Sequence, residues 1–414
     1  MVLQMTLNLN TVIGLFIGWH LFEMGISILS YLNEKKPLPK TLNHLLNQTE
    51  RQKSLNYQKD RLIFGLFSQA FTLTLLVVCL KLFFFVFLWE KISFINQVTF
   101  RSTIYVLILL FLSDLIMIPF SYVSQFKIEK KYDFNRMTHR TFILDFLKGN
   151  LLKIVIGTPI LYGLFSFYEN FSSQAWWYAW LFITVVQILL IYLVPTWIMP
   201  LFNKYESVKD EKLKEEIEAF AEKENFTLSG LFQMDGSKRS SKANAFLTGF
   251  GKNKRIVLFD TLIDSLNHEQ ILAVLAHEMG HFKRKHIFKG LILSTATLGI
   301  TLFVFSKIAQ SPWIFKITGF TETPPSLGLI LTLLLFSPLS VPLSIVSNLF
   351  SRKFEFEADE YSFKSFPKPN ALIEGLQSLS KNHLSALQPH PLKVFLEYSH
   401  PPLSERIRAI QDLK

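Results

Sequence analysis

The chain has 414 residues, half of them hydrophobic and 41 of them Phe, a composition that excludes an ordinary soluble enzyme and indicates that lipid surrounds much of the chain. Its formal net charge is +11, but the Lys and Arg residues stand in clusters between apolar runs. Loops of membrane proteins have this arrangement and a basic nucleic-acid-binding face does not, so we expect the lipid bilayer, and no nucleic acid, as a partner.

Seven apolar stretches follow one another along the chain. A helix that crosses the hydrocarbon core of a bilayer needs about 20 mostly apolar residues. The stretches cover residues 11–32, 62–88, 103–123, 151–168, 176–199, 287–308 and 326–350. The sequence therefore predicts an all-α membrane protein with seven transmembrane helices.

The basic residues are distributed unevenly between the loops. Residues 33–61 and 124–150, after the first and third stretches, are rich in Lys and Arg, whereas residues 169–175 contain neither. By the positive-inside rule, we expect the N-terminus outside, and the loops after stretches one, three and five in the cytoplasm together with the C-terminal tail.

Some charged or titratable side chains lie within the apolar stretches. His20 and Glu23 share one face of the first, while Lys81 and Asp114 interrupt the second and third. They indicate either a water-filled cavity between helices or snorkelling and local pairing near the interface. The residues alone leave both explanations open.

Two long polar segments remain, residues 200–286 and 351–414. The first has a charged helical pattern at 209–225 and short apolar runs at 231–234, 243–250 and 255–260. The last two runs predict a β-hairpin, and residues 268–286 predict a helix that leads directly into the sixth stretch. We therefore expect a cytoplasmic α+β unit with a small sheet.

The predicted helix carries the motif His277-Glu278-Met279-Gly280-His281. Histidines four apart share one helical face and can reach a single ion, while Glu278 can stand beside a metal-bound water without being a ligand. In such a site zinc polarises the peptide carbonyl and the water, and the glutamate transfers the proton to the leaving amine. On a continuous helix His286 would face away from His277, so we do not expect it to be a ligand.

A third ligand is expected directly after the seventh stretch. Glu355 and Asp359 are four apart and share a helical face, whereas Glu357 points away from Glu355. Catalytic sites of this type use two His and one acid, so Glu355 is the predicted third ligand of one Zn²⁺ per chain. Asp359 suits a hydrogen bond that orients a ligand histidine, or proton transfer; the alternative is an ordinary exposed acid.

The predicted topology tests this assignment. The HExxH helix enters the membrane from the cytoplasm, and the seventh helix returns there and ends near Glu355. Both halves of the predicted site therefore meet at one membrane face. A motif that arose by chance on a surface helix has no reason to satisfy this condition.

Over most of its length the chain resembles the type I CAAX prenyl endopeptidases, integral membrane zinc proteases that trim isoprenylated C-termini. The resemblance rests on HEMGH at 277–281, SRKFEFEAD at 351–359, MPLFNK at 199–204, NAFLTG at 244–249 and YSHPPLSERI at 398–407. It implies seven helices around a large water-filled chamber, with a zincin-like catalytic unit.

The resemblance also implies roles for individual residues. The implied metal ligands are His277, His281 and Glu355. Glu278 is the implied base, Asp359 an acid catalyst or ligand orienter, and His400 and Arg406 are implied contacts of the substrate or the developing oxyanion.

The chemistry of the residues themselves suggests roles for two further groups. His400 and Arg406 can donate hydrogen bonds to a negative oxygen, although a helix cap and a Pro-Pro turn are the alternative. Asn244, Ala245 and Phe246 begin a predicted edge strand to which an extended peptide could add. The alternative is a strand that only completes a small sheet.

The function predicted from the sequence is an integral membrane zinc metalloendopeptidase that hydrolyses peptide bonds near the C-terminus of CAAX-type substrates, isoprenylated or not. The alternatives are a heat-shock-type membrane quality-control protease, which has fewer spans, and a non-catalytic scaffold or transporter, against which the intact Glu278 argues. The predicted location is the bacterial inner membrane or, in a eukaryote, the endoplasmic reticulum membrane.

The predicted organisation has four segments. Residues 1–199 are expected to form five transmembrane helices, 200–286 a cytoplasmic catalytic segment, 287–350 helices six and seven, and 351–414 a C-terminal catalytic segment.

Overall fold

The computed structural model describes residues 8–249, 254–309, 311–324, 327, 328, 331, 340–366 and 368–413. The helices before the sheet are α1 Leu9–Glu34, α2 Gln48–Lys81, α3 Phe84–Lys91, α4 Val98–Val123, α5 His139–Phe171 and α6 Ala175–Leu193. The later helices are α7 Glu211–Lys223, α8 Asp260–Ser265, α9 His268–Lys283, α10 His286–Ala309, α11 Pro312–Ile317, α12 Val341–Ser365, α13 Pro369–Asn382, α14 Pro391–Glu397 and α15 Leu403–Gln411.

Within the described residues, six helical segments are long and apolar enough to cross a membrane. They are Leu9–Glu34, Gln48–Lys81, Val98–Glu129, His139–Phe171, Ala175–Leu201 and His286–Val304. Each of the first six predicted stretches overlaps with one of them. The seventh, residues 326–350, lies partly outside the described residues, which do not include 326, 329, 330 and 332–339. The chain is thus a mostly helical, multi-pass membrane protein.

The second predicted stretch, residues 62–88, differs from the helix that contains most of it at both ends. Helix α2 begins 14 residues earlier, because a capping box between Asn47 and Glu50 starts a polar helix that runs on into the apolar part. It ends at Lys81, and Phe83 has a positive φ of 52° that separates it from α3. Apolarity marks what lipid can surround, not where a helix begins.

Along the chain, the segment between the first five spans and α9 forms a four-stranded sheet. Its strands are β1 Tyr205–Ser207, β2 Gly230–Met234, β3 Ala245–Thr248 and β4 Arg255–Phe259. Their order is β1-β2-β4-β3, with β2 and β4 parallel and the other pairs antiparallel. The antiparallel pairing of β3 with β4 confirms the hairpin, whose residues 250–253 lie outside the described chain. The sequence did not predict β1.

Helix α9 packs on the sheet through a continuous apolar core. Ile256 and Leu258 of β4 and Ile271 and Leu275 of α9 are all but inaccessible to solvent and belong to one cluster with α7. Each fully buried side chain of this size contributes roughly 1.5–3 kcal/mol to folding. The core therefore holds α9 rigidly beside the edge strand β3.

The predicted helix over 268–286 is wrong at its end. The Arg284 N–H donates to the Gly280 carbonyl and the Lys285 N–H to that of Phe282, and Lys285 adopts a positive φ of 56°. Such a left-handed residue ends a helix. Helix α10 then starts in a new direction, and the helical angles predicted for His286 no longer apply.

Helices α9 and α12 cross at a glycine. A Cβ on Gly280 would lie 3.0 Å from both the Ala358 Cα and the Tyr361 Cβ, so a larger residue would push the helices apart. A hydrogen bond also joins the two helices: the Ser362 hydroxyl of α12 donates to the Ala273 carbonyl of α9 at 2.8 Å. This close crossing brings the histidine face of α9 against the acidic face of α12.

The C-terminal helix closes the same region from another side. Leu403, Ile407 and Ile410 of α15 are buried in a cluster with Leu42, from the segment that joins α1 to α2. Because these residues face inward, Arg406 on the same face is buried too. The burial of the apolar face of α15 thus places the guanidinium of Arg406 in the protein interior.

Candidate active site

Three side chains from helices α9 and α12 converge at one point. The Nε2 atoms of His277 and His281 are 3.1 Å apart, and the Glu355 carboxylate oxygens lie 3.5 Å from the first and 3.3 Å from the second. Ligand atoms about 2.0–2.1 Å from a tetrahedral ion lie about 3.4 Å from one another. The three separations therefore fit a single metal ion.

A direct ion pair supports His277. Its Nδ1 lies 2.8 Å from Asp359 Oδ1, and the Arg406 Nε and Nη2 atoms donate to the Asp359 oxygens at 2.8 and 2.6 Å. Burial would lower the pKa of His277, but the hydrogen bonds to Asp359 and Glu355 outweigh it and raise the pKa to about 9. The two acids around the His277 ring therefore favour a positive charge on the ring or next to it.

Both buried acids remain ionised. Burial would raise the pKa of Glu355, but its hydrogen bonds to His277 and His281 hold that pKa well below the usual range. Burial also opposes ionisation of Asp359, whose pKa is nevertheless lowered by the charge and hydrogen bonds of Arg406. Each buried charge thus has a partner, which burial of charge requires.

A different chain of groups supports His281. Its Nδ1 lies 3.0 Å from the Nδ1 of His286, whose Nε2 lies 2.9 Å from Glu357 Oε2. The His286 ring is stacked 4.3 Å from Phe354 with an interplanar angle of 11°. With Nε2 of His281 free to bind a metal, one proton arrangement satisfies this chain: His281 donates to His286, which donates to Glu357.

Sequence reasoning missed the contribution of His286. It is not one of the three grouped ligands, but the angle used to exclude it assumed a helix that in fact ends at Lys283. Glu357 does face away from Glu355, and for that reason it reaches His286. The signal available in the sequence was a short run of basic residues without apolar periodicity, Lys283 to Lys285, between the motif and the sixth span.

The three converging residues open onto a cavity of about 560 Å³. Glu278 also lines it, and in the described part of the chain this carboxylate has no hydrogen-bond or ion-pair partner. Asn244, Ala245 and Leu247 line one wall. Ala245 and Leu247 share a face of β3, because side chains alternate along a strand, and Asn244 directly precedes the strand. Phe246 is not among the lining residues; its ring packs against Phe259.

The remaining predicted residues also lie at the site. His400 is largely exposed, with its Nε2 3.3 Å from Glu355 Oε1. Arg406 is buried, and its Nη1 lies 3.3 Å from Glu355 Oε2 while its other two nitrogens contact Asp359. In this structure Arg406 is an ion-pair partner of two acids, and its contact with an oxyanion stays a prediction.

A multi-pass helical membrane protein with two histidines and a glutamate poised for one ion, beside a free glutamate and an edge strand, is a membrane metallopeptidase by its fold and site. Comparison with known families agrees. Residues 207–414 match the model of peptidase family M48, and residues 28–204 match that of the CAAX prenyl protease N-terminal region, described as five membrane helices. The chain belongs to peptidase family M48, and it is a metalloendopeptidase.

Relatives resemble the chain over nearly its whole length. CAAX prenyl protease 1 of Saccharomyces cerevisiae is 34% identical, with 96% of this chain and 94% of that protein covered. The homologues from Arabidopsis thaliana and Homo sapiens are 34% and 31% identical, over 97% and 91% of this chain and 97% and 89% of those proteins. The crystal structure of S. mikatae Ste24p superposes with a TM-score of 0.91 at 33% identity, covering 96% of this chain and 98% of that one.

Proposed function

We propose that this metalloendopeptidase uses one Zn²⁺ held by His277, His281 and Glu355 to cleave near the C-terminus of CAAX-type prenylated substrates. The observation that carries the zinc assignment is the set of three ligand-atom separations, which fit one tetrahedral ion. The substrate class follows from the relatives, which are named CAAX prenyl protease 1 in a fungus and CAAX prenyl protease 1 homolog in a plant and an animal.

Glu278 is the base in this proposal. Zinc, when bound, supplies a Lewis acid and lowers the pKa of water. The Glu278 carboxylate faces the cavity without a partner among the described residues, so it is free to take a proton from water and pass it to the leaving amine.

Four residues outside the ligand set position the two histidines. Asp359, held by Arg406, accepts the hydrogen bond of His277, and Glu357 holds His281 through His286. Each contact selects the tautomer that presents Nε2 to the metal.

The walls of the cavity suit an extended peptide. Strand β3 is an edge strand, so its outer side can pair with a substrate chain, with Asn244 and Ala245 in contact with it. We assign no direct substrate contact to Phe246, which packs on Phe259. His400 is exposed beside Glu355 and can donate to a substrate oxygen, whereas Arg406 first neutralises the buried acids.

We further propose the orientation expected from the loops. Residues 200–286 and 351–414 lie on the cytoplasmic side with the metal site, and the N-terminus lies outside. The four-segment division, with two helices within 287–350, is part of this proposal. The membrane is the endoplasmic reticulum in a eukaryote or the inner membrane in a bacterium. Labelling of single cysteines from each side, after Cys79 is replaced, tests the orientation, and a cytoplasmic N-terminus would overturn it.

The function is tested with purified protein and matched peptides. We expect cleavage of a farnesylated CAAX-type peptide to exceed that of the unprenylated peptide, and Glu278→Gln to lower the rate by about 10²- to 10⁴-fold with metal content unchanged. Equal cleavage of both peptides, or of unfolded proteins in preference, would favour the quality-control alternative. Loss of metal in Glu278→Gln would make that residue a ligand and not the base.

A further inference from the structure

A second cavity of about 650 Å³ adjoins the active-site cavity. Helices α1 and α2 form one side of it, and residues 383–398 the other. His383 lines both cavities, so they are neighbours. Of the described residues that line the second cavity, none has a role in the reaction proposed above.

The charges of the second cavity favour an anion. Three cations line it, of which Lys242 and Lys393 each contact a carboxylate at 2.8 Å. The lining acid Glu34 is bound by Arg51 at 3.3 Å. Arg61 has no carboxylate partner in the described part of the chain. The cavity thus has a guanidinium available for an incoming negative group.

The edge strand gives the direction in which a substrate would run. Strand β3 is preceded by Asn244, Ala243 and Lys242, and the Ala243 N–H donates to His383 Nε2 at 2.9 Å. Antiparallel pairing is the more stable arrangement of two strands. A peptide paired antiparallel with β3 runs opposite to it, so its residues beyond the scissile bond lie towards Lys242, at the second cavity.

We propose that the second cavity binds the free C-terminal carboxylate of the peptide substrate, with Arg61 as its main partner. This inference rests on the proposed function, because a CAAX-type substrate ends a few residues beyond the cleaved bond. A guanidinium suits a carboxylate, which it can bind through two parallel hydrogen bonds. The contact selects chain ends over internal segments and sets how far from the end the chain is cut.

The test compares a prenylated peptide that ends in a free carboxylate with the same peptide ending in an amide. We expect amidation to lower kcat/KM of the wild type by about 10- to 100-fold, the worth of a hydrogen-bonded charge. The Arg61→Gln variant should lose most of its activity on the free-carboxylate peptide and little on the amidated peptide. Its preference for the free carboxylate should therefore disappear. Arg140→Gln, which removes an exposed arginine outside both cavities, should keep it.

Binding separates this proposal from the cleavage reaction itself. A synthetic tripeptide acid should bind Glu278→Gln protein more tightly than its amide, and the double variant Glu278→Gln/Arg61→Gln should bind both alike. If the wild type cleaves neither peptide, the proposed function fails while the binding result still decides the carboxylate site. Equal kcat/KM for acid and amide in the wild type would overturn the carboxylate site alone. The site would also be overturned if the loss of activity in Arg61→Gln, assayed in lipid vesicles, depended on the fraction of anionic lipid. That result would make Arg61 a contact of lipid headgroups.

Discussion

The two histidines of one motif stand in different surroundings. His277 is 9% exposed and rests directly on Asp359, a buried acid bound by a buried arginine. His281 is 22% exposed and reaches its acid, Glu357, only through the ring of His286. The charged groups that support His277, Asp359 and Arg406, are buried. Glu357, which supports His281 through His286, is partly exposed. Positions one turn apart on a helix therefore differ in what a mutation costs.

Asp359→Asn should have the largest effect. The change keeps the shape but leaves Arg406 as a buried charge without its main partner, and breaking a buried pair costs about 3–5 kcal/mol. We expect a lower Tm and loss of bound zinc on dialysis, measured by calorimetry and elemental analysis. A variant that keeps wild-type Tm and zinc would show that the buried ion pair is not what holds His277.

Gly280→Ala should weaken both supports together. The new methyl group would meet the Ala358 backbone and the Tyr361 Cβ at 3.0 Å, and overpacking of this kind costs about 1–3 kcal/mol. We expect a lower Tm and weaker zinc retention. Gly290→Ala is the matched control, since a Cβ there has no neighbour within 4 Å, and it should retain zinc like the wild type. An unchanged Gly280→Ala would argue against close helix contact.

Glu357→Gln should have a smaller, graded effect. His286 keeps a hydrogen-bond partner but loses the charge, and changes behind a metal ligand cost about 10- to 100-fold in affinity, here at the lower end. Titration with a competing chelator measures this. Glu360→Gln is the control, because Glu360 lies on the same helix and pairs with Lys364 and Arg284, not with a histidine. Equal affinities for the two variants would remove His286 from the metal support.

A half-buried histidine outside the metal site sharpens the comparison. Among the described residues no carboxylate pairs with His383, and burial together with the charge of Lys242 lowers its pKa to about 4. His277, which contacts two acids, has a raised pKa instead. Protonation of His383 would break its bond from the Ala243 N–H. Because the folded-state pKa is below the unfolded value of about 6.5, this stabilisation is complete above pH 6.5 and is lost as pH falls towards 4.

The measurement is Tm against pH for wild type and His383→Gln, whose amide oxygen can accept the same bond without titrating. We expect the Tm of the wild type to fall more steeply than that of the variant between pH 6.5 and 4.5. Parallel curves would show that folding does not lower the pKa of His383.

Much of the site was accessible to sequence reasoning because its signals are local. Helical spacing placed His277 and His281 on one face, and Glu355 and Asp359 on another, and the structure brings the first three together. The apolar stretches predicted six spans that the described residues contain. These inferences need only the periodicity of a helix and the thickness of a bilayer.

The sequence by itself thus predicted the class of site and three candidate ligands that the structure brings together, since residues four apart share a helical face wherever that helix lies. Only the tertiary structure decided what stands behind the ligands. The positive φ of Lys285 turned His286 back to His281, and the apolar face of α15 carried Arg406 to Asp359. Both depend on backbone geometry at one residue or on contacts between segments distant in sequence, and neither leaves a periodic signal.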